Sequence, residues 1–254
     1  EMPLELAREN LAGAAMASKS YEHFVEIVDA INGFGGTGLW CPQDGFYYDQ
    51  LYTRDRSIPL RVRSMVGLVP LLACTVLEAE TLERFPGFTK RLEWFLTNRS
   101  DLAGHIVASE STRGDRLLSV PPREHLERLL RYMLDETEFL SPHGIRSLSR
   151  VHGEHPFVLR VDGHAYEVHY TPSESDTGLF GGNSNWRGPV WFPVNYLLVE
   201  ALERYHYFYG SSLRVECPTG SGNMLTLAEV AHELFRRLST LFVPGSDGFR
   251  PCYG

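Results

Sequence analysis

Cysteine is scarce and dispersed in this sequence of 254 residues, which contains only Cys41, Cys74, Cys217 and Cys252. None of them forms a CxxC pair, so neither a disulfide framework nor a zinc site is predicted. No run approaches the roughly 18 consecutive apolar residues that cross a membrane, and no signal peptide is recognised. We therefore expect a cytoplasmic protein with no metal ion, no cofactor and no membrane partner.

Basic residues are also in deficit. The chain has 24 Lys and Arg against 32 Asp and Glu, which gives a formal net charge of -8. Proteins that bind nucleic acid usually present a clustered excess of Lys and Arg, and no such cluster occurs in this sequence. A nucleic-acid partner is therefore not expected.

Several familiar catalytic motifs are missing. There is no GxSxG elbow, no recognisable cysteine nucleophile motif and no HExxH spacing among the ten histidines. The segment from Gly33 to Gly38 matches GxGxxG, but a dinucleotide fingerprint follows a strand and precedes a helix. Here a helical pattern precedes it and Leu39-Trp40-Cys41-Pro42 follows, so the glycines predict a loop that ends a helix.

Helical periodicity dominates what is present. Apolar residues repeat at i, i+3, i+4 and i+7 from Tyr21 to Ile31, and Thr226-Leu-Ala-Glu229 is a capping box that begins a helix. The other predicted helices cover Leu4 to Ala15, Ser57 to Glu80 with a kink at Pro70, Thr81 to Asn98, Pro121 to Leu134 and Val190 to Tyr209. The predicted fold class is thus mainly all-α, with about seven helices.

One segment has a period of two. Phe157–Val161 and His164–Tyr170 flank Asp162-Gly163, a dipeptide typical of two-residue hairpin turns. We expect one small β-hairpin insertion at about residues 156–170.

An aromatic and acidic segment, Asp44-Gly-Phe-Tyr-Tyr-Asp49, allows two interpretations. Its Tyr and Asp side chains can face a sugar. Equally, Asp44-Gly45 can form a turn that leads into a short aromatic strand packed on the core. The residues alone do not separate these alternatives.

The segment from Ser173 to Asn195 is unusually polar for a structural loop. It combines two carboxylates, three asparagines and an arginine with Trp186 and Trp191, and it leads into an apolar helix. Sugar recognition uses this combination, because polar side chains bind hydroxyls directionally while indoles stack on the ring. The alternative is a helix-entry loop whose asparagines satisfy backbone groups.

Trp186-Arg-Gly-Pro-Val-Trp191, with Gly-Gly-Asn-Ser-Asn before it and Asn195-Tyr-Leu-Leu after it, resembles family 63 glycoside hydrolases. Asp44–Asp49, Arg63-Ser-Met-Val-Gly-Leu68 and Gly144-Ile-Arg-Ser-Leu-Ser149 resemble the bacterial members of that group, which includes processing α-glucosidases and mannosylglycerate hydrolases. The resemblance therefore covers most of the chain.

The resemblance implies that residues 1–254 are part of a single (α/α)6 toroid, in a protein that hydrolyses an α-glucoside or α-mannoside with inversion. Inverting enzymes pair a general acid with a general base. In relatives the acid precedes the Gly-Phe-Tyr-Tyr-Asp segment and the base follows the Trp-Arg-Gly-Pro-Val-Trp segment. Neither is matched here, so we expect a fragment that lacks both, with Glu174 as the alternative catalytic candidate. The residues implied to bind substrate are Asp49, Asn183, Asn185, Trp186, Arg187 and Trp191.

Two other functions remain open. A non-catalytic carbohydrate-binding or scaffold module would bind sugar without hydrolysing it. A trehalase-like toroid enzyme would use a related fold on another substrate.

Overall fold

The computed structural model describes residues 11–33, 38–53, 56–98, 107–111, 113–161, 163–171, 190–246 and 248–253. The chain divides into two compact units. Unit 1 comprises Glu1–Trp40 and Ala73–Pro122, and unit 2 comprises Cys41–Leu72 and Arg123–Gly254. In the described residues, helices occupy more of the chain than strands, in agreement with the mainly helical prediction.

In the described part of unit 1, three helices pack with one antiparallel sheet. The helices are α1 (Leu11–Gly33), α2 (Ala79–Arg84) and α3 (Pro86–Asn98). The sheet has the order β5-β7-β6, with β5 at Cys74–Leu77, β6 at Val107–Glu110 and β7 at Arg116–Ser119. Its core includes Tyr21, whose ring lies edge-on to Phe88 and Phe95. The stripe that predicted a separate helix from Tyr21 belongs to the longer helix α1.

The other elements that the structure describes lie in unit 2, where short strands alternate with the helices. Its helices are α4 (Arg123–Met133), α5 (Phe192–Tyr209) and α6 (Leu227–Ser239), with short 3-10 helices at Met65–Leu72, Arg150–Gly153, Gly210–Ser212 and Pro251–Tyr253. Its strands are β2 (Phe46–Tyr47), β3 (Asp49–Tyr52), β4 (Ser57–Leu60), β8 (Leu140–Ser141), β9 (Gly144–Ile145), β10 (Phe157–Val161), β11 (His164–Val168), β12 (Arg214–Glu216) and β13 (Met224–Thr226). The boundary between the units falls within β1 (Trp40–Cys41).

The predicted helix over Ser57 to Glu80 was wrong. Strand β4, the 3-10 helix containing Pro70, strand β5 and the start of α2 occupy this range. A long apolar run without a clear period does not distinguish strand from helix. Pro59 is tolerated in β4 because, among the described strands, β4 pairs only with β3 and so has a free edge. The single helix predicted over Thr81 to Asn98 is divided into two, since α2 ends at Arg84 and α3 begins at Pro86. Proline is accepted in the first turn of a helix.

The hairpin prediction is confirmed. β10 and β11 pair antiparallel from Phe157–Val168 to Val161–His164, and Gly163 in the turn has a φ of 79°. Glycine adopts this left-handed conformation without a steric penalty. A single hairpin was too few, however, because several further small sheets occur among the described residues. Their strands are too short to show the alternation of apolar and polar residues that predicts a strand.

The helix predictions based on termini agree with the structure. α4 begins after Pro121-Pro122, and α6 begins at a capping box in which Thr226 and Glu229 bind each other's backbone N–H groups. Within the described residues, no helix has both the length and the hydropathy required to cross a bilayer.

We expect Thr226→Ala to lower the free energy of unfolding by about 1 kcal/mol, because it removes the side-chain acceptor that caps α6. Urea denaturation followed by circular dichroism measures the change. Ser239→Ala, at the other end of the same helix, is the control and should stay within about 0.5 kcal/mol of the parent. Equal losses in both variants would contradict a specific contribution of the cap.

Candidate functional site

Segments that are far apart in the sequence meet in unit 2. Ser64 forms an antiparallel bridge with Leu148. The backbone N–H of Met65 donates to the Ser147 carbonyl at 2.8 Å, and the N–H of Ser149 donates to the Arg63 carbonyl at 2.8 Å. Two of the segments that carry the family resemblance, 63–68 and 144–149, are therefore held together by their backbones.

The aromatic segment at residues 44–49 packs on the same assembly. Phe46, Tyr47 and Tyr48 are all buried, and the Phe46 ring stacks on Phe139 with a centroid distance of 5.8 Å. A Cβ atom placed on Gly67 would lie 2.2 Å from the Phe46 ring, so only glycine fits at that contact. For the three aromatic residues the structure favours the core interpretation over direct sugar contact.

A partly buried ion pair occupies the centre of this region. Arg63 Nη1 donates to one carboxylate oxygen of Glu138, and Ser149 Oγ donates to the other. The Glu138 side chain is only 10% exposed. The guanidinium carbon of Arg63 also lies 4.7 Å from the centroid of the Tyr132 ring. Both charges thus have partners that replace the water lost on folding.

Tyr48 belongs to the same polar group. Burial raises the pKa of its hydroxyl to about 12, although a hydrogen bond with Arg63 acts in the opposite direction. The phenol therefore remains protonated at neutral pH and serves as a hydrogen-bonding group.

His152 is held as a neutral imidazole. Its Nε2 accepts a hydrogen bond from the Arg63 backbone N–H at 2.9 Å, and its Nδ1 lies 3.0 Å from the His155 carbonyl. These partners assign the proton to Nδ1. Burial lowers the pKa of His152, the nearby Arg63 charge lowers it further, and the bond to His155 opposes the shift.

Three arginines hold the turn at residues 135–141 that carries Glu138. In addition to Arg63, Arg146 donates from Nη1 to the Glu136 carbonyl at 3.3 Å and from Nε to the Tyr170 hydroxyl at 3.2 Å. Arg237 of α6 donates to the Ser141 carbonyl at 3.0 Å. A turn with this many charge-assisted bonds keeps the Glu138 carboxylate in a defined position.

Asn195 connects this region to the start of α5. Its Oδ1 accepts from the Ile145 N–H at 2.6 Å, and its Nδ2 donates to the Ile145 carbonyl at 2.9 Å and to the Trp191 carbonyl at 3.0 Å. Arg146 forms an antiparallel bridge with Val190. The backbone at Trp191 is therefore fixed from both sides.

Two of the predicted site residues fall in described positions. Trp191 is the partly exposed N-cap residue of α5. Asp49 begins β3 and is exposed, and partial burial of its carboxyl raises the pKa of that group. Glu174, Asn183, Asn185, Trp186 and Arg187 lie outside the described residues.

Sequence reasoning did not single out Arg63, Glu138, Ser149 or Arg146 as individual residues. Arg63, Arg146 and Ser149 stand in segments that carry the resemblance, and an arginine beside apolar residues was an available signal. Glu138 follows α4 in a polar turn that has no distinguishing motif. Among the described residues, no group of three or more His, Cys, Asp or Glu side chains is arranged to hold a metal ion.

The comparisons with known proteins support a glycoside hydrolase. The model of the mannosylglycerate hydrolase MGH1-like glycoside hydrolase domain matches residues 116–243, half of the chain. The chain belongs to this glycoside hydrolase family. The residues that match the family model include Glu138, Arg146, Trp191 and Asn195.

The whole chain is also similar to the uncharacterized protein YMR196W of Saccharomyces cerevisiae. The two are 48% identical over 266 aligned positions, which include 98% of the chain and 24% of that protein. The chain thus spans about a quarter of the length of this curated relative.

We expect Glu138→Gln to destabilise the glycoside hydrolase domain by roughly 2–4 kcal/mol, because it leaves the Arg63 charge partly buried without its counter-charge. Guanidinium denaturation gives the value. Glu200→Gln is the control, since Glu200 pairs with Arg204 at 3.1 Å at a site about one-third exposed, and exposed pairs contribute under about 1 kcal/mol. Similar losses in the two variants would argue against a special contribution of the Arg63–Glu138 pair.

We expect a pH dependence of stability that arises from His152. Because its pKa is lower in the folded protein than the value of about 6.5 in unfolded chains, unfolding takes up a proton below that pH. Stability then falls as the pH drops below about 6.5. The pKa values of the Glu216, Glu229 and Glu233 carboxyl groups are also lowered. These groups affect stability only at lower pH, where carboxyl groups take up protons. His125, whose pKa burial also lowers, adds to the same decline.

His152→Gln should flatten this dependence, by at most about 1.4 kcal/mol per pH unit for a single proton. Urea denaturation at a series of pH values measures the slope. His232→Gln, at an exposed position of α6, is the control and should keep the parent slope. Parallel curves for the parent and His152→Gln would show that His152 does not cause the decline.

Proposed function

We propose that this chain is the part of an inverting α-glycosidase, similar to family 63 glycoside hydrolases, that lines the substrate-binding end of an (α/α)6 toroid. The observation that carries the proposal is the family match over residues 116–243. That interval includes Trp186–Trp191, the segment with the most specific resemblance and the composition best suited to sugar recognition.

Trp191 is a good candidate for stacking on a sugar ring. Its carbonyl accepts hydrogen bonds from the N–H of Asn195 at 3.1 Å and from the side chain of Asn195 at 3.0 Å. The backbone from which the indole extends is therefore anchored. An anchored indole offers a large apolar surface to the C–H face of a pyranose, at a small cost in conformational entropy.

Asp49 is proposed to orient sugar hydroxyls. It follows the buried Tyr48, and its pairing with Leu60 fixes the strand on which it lies. Its side chain is exposed and so accessible to a ligand, while partial burial of the carboxyl raises the pKa of that group. A carboxylate accepts charge-assisted hydrogen bonds from hydroxyl donors.

The remaining binding groups of the proposal are Asn183, Asn185, Trp186 and Arg187, which precede Trp191 in the sequence. The general acid and general base are proposed to come from residues outside this sequence, on carboxyl groups roughly 6.5–9.5 Å apart. Glu174 is the alternative within the chain. The substrate is proposed to be an α-glucoside or α-mannoside, acted on by the longer protein to which the chain corresponds.

Steady-state assays on the full-length protein test the proposal. The substrates are a panel of α-glucosides and α-mannosides that includes trehalose, and NMR identifies the anomer first released. We expect hydrolysis with inversion. Trp191→Ala and Asp49→Asn should each lower kcat/KM by about 100-fold or more, because each removes a group placed against the substrate.

Exposed positions in unit 1 provide the controls. Trp94→Ala, 58% exposed on α3, and Glu26→Gln, exposed on α1, should leave kcat/KM within about twofold of the parent. Retention of the anomeric configuration would contradict the inverting mechanism. Near-normal activity of Trp191→Ala would remove that residue from the site. Oligosaccharide binding without turnover of any substrate would instead identify a non-catalytic carbohydrate-binding module.

A further inference from the structure

Unit 2 contains a cavity whose lining residues lie outside the segments that carry the family resemblance and outside the Arg63–Glu138 pair. Its volume is about 660 Å³, within the range of roughly 300–1,000 Å³ typical of small-molecule sites. The lining residues come from α4, the 3-10 helix after α5, strands β12 and β13 and the loop between them: Arg123, Glu127, Arg131, Ser211, Ser212, Leu213, Arg214, Val215, Glu216, Thr219 and Met224.

Hydrogen bonds hold the walls of this cavity in place. Thr219 donates from its backbone N–H to the Leu134 carbonyl and from its hydroxyl to the Arg131 carbonyl, both at 2.9 Å. On the other side, Arg123 donates to the Ser212 carbonyl at 3.1 Å and lies over the Tyr209 ring. The cavity is therefore bounded by connected elements of a single unit.

The charges in the cavity are unequally compensated. Glu127 accepts from Arg123 at 2.8 Å, so these two neutralise each other. Glu216 accepts from the backbone N–H groups of Gly220 and Gly222, which lower its pKa. Both carboxylates are thus already engaged.

Two arginines of the cavity are less fully compensated. No ion pair of Arg131 occurs among the described residues. Arg214 lies 3.9 Å from Glu229 and donates from Nη1 to the Met224 carbonyl at 3.3 Å, which engages only part of its guanidinium. Arg123, Glu127 and Arg131 are spaced four residues apart on α4, so they share one face of that helix. The chain as a whole has a formal charge of -8, yet this concave site contains two guanidinium groups with N–H donors that a ligand can use.

We propose that this cavity is a second binding site, specific for a phosphorylated monosaccharide. The phosphate binds Arg131 and Arg214, because guanidinium groups match phosphate oxygens in geometry and charge. The hydroxyl of Ser211 binds the sugar hydroxyls together with Ser212 Oγ, which acts as an acceptor because it donates to the Tyr209 carbonyl at 2.6 Å. Leu213, Val215 and Met224 provide apolar contact for the C–H groups of the ring.

Isothermal titration calorimetry of the protein tests this proposal with three probes: glucose 6-phosphate, inorganic phosphate and glucose. Glucose 6-phosphate should bind saturably with one site per chain, and the affinity should fall as salt is added. Inorganic phosphate should bind at least about tenfold more weakly, and glucose should show no saturable binding, because each lacks half of the recognised groups.

Substitutions locate the site. Arg131→Gln and Arg214→Gln should each weaken glucose 6-phosphate binding about tenfold or more, whereas Arg131→Lys should retain part of the affinity because it keeps the charge. Arg236→Gln, on the exposed face of α6, is the control and should bind as the parent does. These side chains are exposed, so the variants should fold normally, which circular dichroism verifies.

Three results would overturn the proposal. Glucose 6-phosphate binding that is unchanged in both Arg131→Gln and Arg214→Gln would place the ligand elsewhere. Equal affinity for phosphate and glucose 6-phosphate would show that an anion alone is recognised. Absence of saturable binding of glucose 6-phosphate up to about 10 mM would exclude a specific site. All three are independent of glycosidase activity.

Discussion

A carboxylate removed from water loses hydration that only a cation and well-placed hydrogen-bond donors replace. Glu138 obtains both, from the guanidinium of Arg63 and the hydroxyl of Ser149. Arg63 comes from the segment after β4, and Ser149 comes from the segment after β9. Because one carboxylate needs both partners, these chain segments must meet at the turn after α4, and the surrounding packing follows from that requirement.

Aromatic packing and backbone pairing extend from this point. Phe46 fits against Gly67, where no larger residue has room, and stacks on Phe139, the neighbour of Glu138. His152, as a neutral imidazole, accepts a hydrogen bond from the backbone N–H of Arg63. The polar centre and the apolar packing thus support each other, since the aromatic rings exclude water and the hydrogen bonds compensate for its loss.

The features that could be predicted from the sequence are those encoded locally. The capping box at Thr226 and Glu229 and the turn at Gly163 depend on residues within a few positions, and both appear as expected. The range from Ser57 to Glu80 could not be assigned, because its strands and 3-10 helix are stabilised by partners elsewhere in the chain. Glu138 was overlooked for the same reason, since Arg63 is 75 positions away. In the candidate site, Trp191 and Asp49 were selected from side-chain chemistry and family resemblance, and their contacts with a substrate stay a prediction.

The amide of Asn195 gives this region a mechanical property. It occupies both the N–H and the C=O of Ile145, as a neighbouring strand would, yet it belongs to the first turn of α5. A rotation of that helix would therefore pull on strand β9 directly, without an intervening flexible loop. The backbone pairing of Val190 with Arg146 and of Ser147 with Met65 continues this connection, so an unbroken chain of backbone hydrogen bonds joins the entrance of α5 to the segment that carries Arg63.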